Sequence, residues 1–289
     1  MRHRHKAAVG IVFLAAAFAT RQRNHAASSK AVAVVQQGVV VPPPVVKFSA
    51  SDFSYAGPDT IQSGETIFQL TNNGPSLHHI ELIRLDSGKT MADLGAAMKN
   101  PGPPPAWAVF IGGPNAPDPG ATTSTTLNVT PGNYVVACLV DQPGGVPHIM
   151  KGMAKPLTVV QSTGPKASVP AADMTVSMKD YGYDISAPIT AGRHTLLIGN
   201  HGTQPHEFEL VKLDSGKTVQ ELLAWIPAPK GPPPGHALGG VNALAPYQHA
   251  NEFTADFTPG HYAIICFVPD AKDGKPHFMH GMIHEFTVN

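Results

Sequence analysis

Three features of this sequence predict an all-β protein built from two tandem β-sandwiches, each carrying a short helical, proline-rich insertion. Gly and Pro together make about a fifth of the 289 residues, which favours short strands and frequent turns over long helices. Apolar residues recur in brief alternating runs bounded by Gly, Pro, Asn and Asp. The chain also repeats itself: moving Leu85 onto Leu213, a shift of 128 positions, lays "LDSGKT" on "LDSGKT" and "TPGNYVVAC" (130–138) on "TPGHYAIIC" (258–266).

Taken in order, residues 1–19 have a basic start, an apolar run from Ala7 to Ala19 and a small-residue Ala17-Phe18-Ala19 site, the pattern of an export signal. The run is short for a membrane span, so no span is expected after signal cleavage, and a periplasmic or secreted location follows. An uncleaved anchor is the alternative. Residues 20–46 lack an amphipathic period and read as a low-complexity, disordered lead-in. The first unit then occupies 47–160 and the second 174–289, joined by a linker at 161–173 that is small, polar and broken by proline.

Each unit has matching strand signals: "TIFQLTN" with "HTLLIGN", "HHIELIRL" with "HEFELVKL", "TTLNV" with "EFTADF", and a strand that ends in cysteine. One helix is expected per unit. Thr90 with Asp93, and Thr218 with Glu221, form capping-box patterns that open "MADLGAAM" and "VQELLAW", and proline-rich runs close both. The Lys+Arg and Asp+Glu counts balance at 20 each, and no basic stretch extends beyond the N-terminus, so no nucleic-acid partner is indicated. "DAKDGK" at 270–275 lacks the full spacing of a calcium loop and reads as a turn.

Side-chain parity along the strands locates the chemistry. His78 shares a face with Ile80 and Leu82, and His206 with Phe208 and Leu210, so both histidines sit at the core-facing end of a strand. His79 and its counterpart Glu207 take the opposite face, where solvent is expected. Cys138 follows Tyr134 and Val136 on an apolar face, and Cys266 follows Tyr262 and Ile264. The two tyrosines read as packing residues that close a sandwich corner. Beyond each cysteine stands His-x-x-x-x-Met: His148 and Met153 in the first unit, His277 and Met282 in the second.

For the only two cysteines, the alternatives are a Cys138–Cys266 disulfide, which export would permit, or inert buried thiols. Neither explains why a histidine and a methionine follow both. Two imidazoles and a thiolate in trigonal array with a weak axial thioether are the ligands of a blue-copper centre, and methionine argues against zinc. Met150 and Met279 also recur and read as packing residues. The remaining histidines, among them His194, His236 and His280, mostly lack counterparts in the first unit and read as surface residues.

The run Gly-x-Tyr-x-x-x-Cys followed by "PHIMKGM" or "PHFMHGM" resembles the cupredoxins, the plastocyanin and azurin superfamily. That resemblance covers both units. It implies Greek-key sandwiches and one type-1 copper per unit, held by His78, Cys138, His148 and Met153 and by His206, Cys266, His277 and Met282. Nine residues separate Cys138 from His148 and ten separate Cys266 from His277, longer than in small cupredoxins but similar to the type-1 domain of copper nitrite reductases.

The implied function is one-electron transfer with a redox partner protein or small redox molecule, without catalysis. Copper storage or delivery uses the same ligands and is the alternative. Related copper oxidoreductases, the two-domain nitrite reductases and the laccases, add centres built from a histidine directly before the type-1 cysteine and from His-x-His pairs. Here Ala137 and Ile265 occupy the first position, and the one His-x-His, His3 and His5, lies in the signal segment.

Overall fold

The computed structural model describes residues 41–99, 102–142, 145–169, 171–248 and 251–289; the expected signal at 1–19 and the lead-in as far as residue 40 lie outside them. The first half contains β1 (Val45–Ser51), β2 (Ser54–Ala56), β3 (Thr60–Gln62), β4 (Gly64–Asn72), β5 (Glu81–Leu85), β6 (Ala108–Phe110), β7 (Thr122–Val129), β8 (Gly132–Ala137) and β9 (Ala154–Val160). The second contains β10 (Met174–Lys179), β11 (Gly182–Ile185), β12 (Gly192–Asn200), β13 (His206–Leu213), β14 (Gly235–Leu244), β15 (Asn251–Phe257), β16 (Gly260–Ile265) and β17 (Ile283–Val288). Val45 and Val46 join β1 because they pair in parallel with Ile67 and Phe68 of β4. Among the described residues no helix is long and apolar enough to cross a membrane.

The two helices form where the capping boxes place them, α1 at Met91–Ala97 and α2 at Val219–Trp225. Thr90 and Thr218 each accept the N3 backbone N–H, while Asp93 and Glu221 accept from the cap backbone, so the open helix ends are satisfied reciprocally. Both helices lie over the outer face of a sheet. Leu94 of α1 packs with Ile83, Leu85 and Val135, and Val219 and Leu222 of α2 pack with Val211, Leu213 and Ala263. The strands beneath them are therefore buried on both faces.

The halves repeat one plan. Strands run β2-β1-β4-β7 and β3-β9-β8-β5-β6 in the first, β11-β10-β12-β15 and β14-β13-β16-β17 in the second, with β1–β4 and β10–β12 parallel. Phe48, Phe68, Leu70, Ile80, Leu82 and Val136 fill the first sandwich, and Val176, Leu196, Ile198, Phe208, Leu210 and Ile264 fill the second. Tyr134 and Tyr262 close the corners as expected, each hydroxyl donating to the carbonyl four residues earlier, Thr130 and Thr258, at 2.8 Å.

β7 and β15 join the first sheets of the two halves into one eight-stranded sheet, with Thr125 opposite Phe253, its own counterpart in the repeat. A second contact pairs Ile111 with Leu244, Pro114 with Val241 and Pro117 with Leu238. Since Ile111 corresponds to Leu238, Pro114 to Val241 and Pro117 to Leu244, the halves meet about a pseudo-two-fold axis, as in an isologous dimer.

Candidate metal centres

β8 ends at Ala137 and β16 at Ile265, so each cysteine is the first residue past its strand, with its amide still bonded to the returning chain: Cys138 N–H donates to Met153 O and Cys266 N–H to Met282 O. The long loop from cysteine to histidine is pinned at both ends. His148 N–H donates to Val140 O at 2.9 Å and Ile149 N–H to Cys138 O at 2.8 Å; His277 and Phe278 do the same to Val268 and Cys266. A single 3₁₀ turn follows, His148–Lys151 or His277–His280. Gly152 (φ 96°) and Gly281 (φ 97°) end it in the left-handed region that favours glycine, which turns Met153 and Met282 back into the core.

These turns bring three donors together in each half. In the first, His78 Nδ1 lies 3.1 Å from His148 Nδ1, and Cys138 Sγ lies 3.4 Å from His148 Nδ1 and 4.0 Å from His78 Nδ1. In the second, His206 Nδ1 and His277 Nδ1 are 3.0 Å apart and Cys266 Sγ is 3.4 Å from His277 Nδ1. Donors bound in a plane around one ion at ordinary metal–nitrogen and metal–sulfur lengths stand about 3.5–4 Å apart. The chain thus holds both triads near that spacing. All six residues are at most 1% exposed, and Met153 and Met282 are fully buried in the same clusters as Cys138 and Cys266. Cys138 and Cys266 are free thiols.

The surroundings orient the donors. Asp52 Oδ1 stands 2.8 Å from His78 Nε2 and Asp180 Oδ1 2.8 Å from His206 Nε2, leaving each Nδ1 lone pair for the centre. Burial raises Asp180, but hydrogen bonds from Thr203 and His206 outweigh it and bring the carboxyl down to about 2. Phe53 and Tyr181, both at positive φ, set their rings edge-on to His148 and His277 at centroid distances of 5.3 and 5.5 Å. The Glu207 N–H lies 3.5 Å from Cys266 Sγ, and the backbone N–H groups of His79 and Val140 at Cys138 and of Glu207 and Val268 at Cys266 act to lower the thiols. Burial nevertheless pushes the Cys138 thiol up to about 11, and lowers His277 to about 4 with help from the neighbouring His206. Buried groups of this kind favour a cation that replaces the thiol proton.

Sequence parity misplaces one pair. His79 and Glu207 do not meet solvent; each is 6% exposed, because the pseudo-two-fold contact covers the face on which they stand. His79 Nε2 accepts the Leu139 N–H at 2.7 Å, and Glu207 Oε1 accepts the Phe267 N–H at 2.6 Å. Asp52, Asp180 and Asp270 escaped the sequence reading, although the repeat aligns the first two. Asp270 begins the expected turn, yet it is buried and accepts from Tyr181 Oη at 2.5 Å and Gln204 Nε2 at 2.8 Å. With Asp273 and His280 it forms a third group of potential cation ligands.

No family model and no curated protein matches the chain. Solved structures similar to it include dithionite-reduced auracyanin from the photosynthetic bacterium Roseiflexus castenholzii, 19% identical, covering 42% of this chain and 98% of that one with a TM-score of 0.30. A blue copper oxidase from Nitrosomonas europaea is 14% identical and covers 86% of each chain with a TM-score of 0.26. A copper-containing nitrite reductase from Thermus scotoductus SA-01 is 11% identical, covering 86% of this chain and 62% of that one with a TM-score of 0.24.

Proposed function

We propose that each half is a cupredoxin-type module holding one type-1 copper, and that the protein carries single electrons outside the cytoplasm. The observation that carries this reading is the pair of buried His₂Cys triads, each accompanied by a buried methionine. The donor chemistry fits: two imidazoles, a thiolate and a weak thioether suit both copper oxidation states, and the thioether disfavours zinc. Bound copper would supply the one-electron couple.

The chain's residues supply the rest. Asp52 and Asp180 hold the imidazoles in one tautomer, the backbone N–H groups of residues 79, 140, 207 and 268 offset charge on sulfur, and burial keeps water from the centre. A site already near its bound geometry rearranges little when an electron enters or leaves. Carriage is favoured over catalysis because Ala137 and Ile265, rather than histidines, directly precede the two cysteines. The partner is a redox protein or a small redox molecule.

Voltammetry of the copper-loaded protein with a Cu(I) chelator of moderate affinity present tests this reading. Reversible one-electron waves with copper retained in both states support carriage. Transfer of Cu(I) to the chelator on reduction would favour storage or delivery, and the absence of any reversible wave would overturn the reading.

A further inference from the structure

The pseudo-two-fold contact brings the groups beside the two cysteines face to face. His79 Nε2 accepts the Leu139 N–H at 2.7 Å, and the amide that follows His79 in the chain, the Ile80 N–H, donates to the carbonyl of Pro114, the residue before Asn115, at 2.9 Å. Asn115 Nδ2 then donates to Glu207 Oε2 at 3.2 Å, and Glu207 Oε1 accepts the Phe267 N–H. The ends of this chain reach the cysteines: Leu139 and Phe267, whose amides bond His79 and Glu207, directly follow Cys138 and Cys266, and the Glu207 N–H also lies 3.5 Å from Cys266 Sγ. All three side chains are buried, Asn115 at 3% exposure.

The two repeats differ here in a way the bonding explains. With a donor directed at it by Asn115, position 207 carries a carboxylate with two acceptor oxygens, whereas position 79 carries a ring whose Nε2 accepts the Leu139 N–H. Asn242, the counterpart of Asn115, keeps its side-chain oxygen on the Ala243 N–H, as Asn115 does on Ala116, but its Nδ2 is buried without a partner. One continuous bridge thus replaces two symmetric half-bridges. Burying such polar groups costs free energy that an apolar interface would avoid.

We infer that His79, Asn115 and Glu207 form a hydrogen-bonded bridge through which the two centres exchange an electron within one chain. The inference rests on the copper reading above. Electronic coupling falls off more slowly along bonded and hydrogen-bonded atoms than across van der Waals gaps, and the bridge runs from one sulfur to the other by such links alone. In the exchange one electron leaves the reduced centre and reduces the oxidised one. No bond is made or broken and no proton is transferred.

The experiment is pulse radiolysis of the two-copper protein in a Met282→Leu background, where loss of one thioether separates the potentials and bands of the two centres. Adding Asn115→Leu, or separately His79→Gln, should slow equilibration between the centres about tenfold or more, with both visible bands and both potentials retained. In the metal-free full-length protein, Asn115→Leu should also shift the His79 ring nitrogen resonances and speed exchange of the Leu139 and Phe267 amide protons. Unchanged equilibration in both variants, with both bands present, overturns the bridge alone. Absence of the copper–thiolate bands before any bridge substitution overturns the copper reading, and the bridge with it.

Discussion

Asp52 Oδ1 lies 2.8 Å from Nε2 of the fully buried His78, and the repeat reproduces the distance between Asp180 and His206. Each carboxylate reaches its imidazole from the tight turn that ends in a residue at positive φ, Phe53 or Tyr181, so the same turn orients one histidine and packs an aromatic ring on the other.

Removing that carboxylate should loosen one centre and spare the other. Asp52→Ala is expected to weaken copper binding in the first half by about 10–100-fold, the usual effect of losing a group that orients a metal-bound histidine. Competition titration against a chromophoric chelator measures it. Equal weakening of both sites, or none, would contradict the role given to Asp52.

Replacement of Cys138 by Ser separates the two halves spectroscopically. Each thiol has its own pair of histidines, so the variant should lose the intense copper–thiolate absorption of the first centre and keep that of the second. Visible spectra of the loaded variant, with copper counted per chain, decide the matter.

Stability should fall as pH rises above the ordinary carboxylate range. Burial raises Glu81 and Glu209 well above their usual values in the folded chain, each against a partial offset from backbone N–H groups. A carboxyl with a raised folded pKa binds more protons folded than unfolded, so its contribution is complete below about pH 4.3 and is lost as pH climbs through the folded value. Glu81 Oε2 and Glu209 Oε1 have no partner, which agrees with the strain of ionising them in place. The melting temperature of the metal-free protein should therefore decline from weakly acid to alkaline pH. Glu81→Gln with Glu209→Gln should flatten that decline, and an unchanged slope would refute the assignment.

Much of this was legible in the sequence because it is local or repeated. The capping boxes at Thr90 and Thr218 gave the helix starts, strand parity placed His78, Cys138 and their counterparts on core faces, and the tyrosine corners followed from position in the cysteine strand. Strand β14 was not legible, since "GHALGGVNAL" carries glycines at 239 and 240 with positive φ and pairs through two register shifts. His79 and Glu207 were misjudged for a different reason. Parity says which face a side chain takes but not what covers that face, and the cover here is the other half of the chain, 111–117 against 238–244.

Copper titration of the purified chain, followed by visible absorption and metal analysis, tests the central claim most directly. Two buried His₂Cys triads, each with its methionine, lead to two coppers per chain and intense thiolate-to-copper absorption that grows until the second equivalent is bound. Binding of one copper or none at saturation, or two coppers without that absorption, would contradict it.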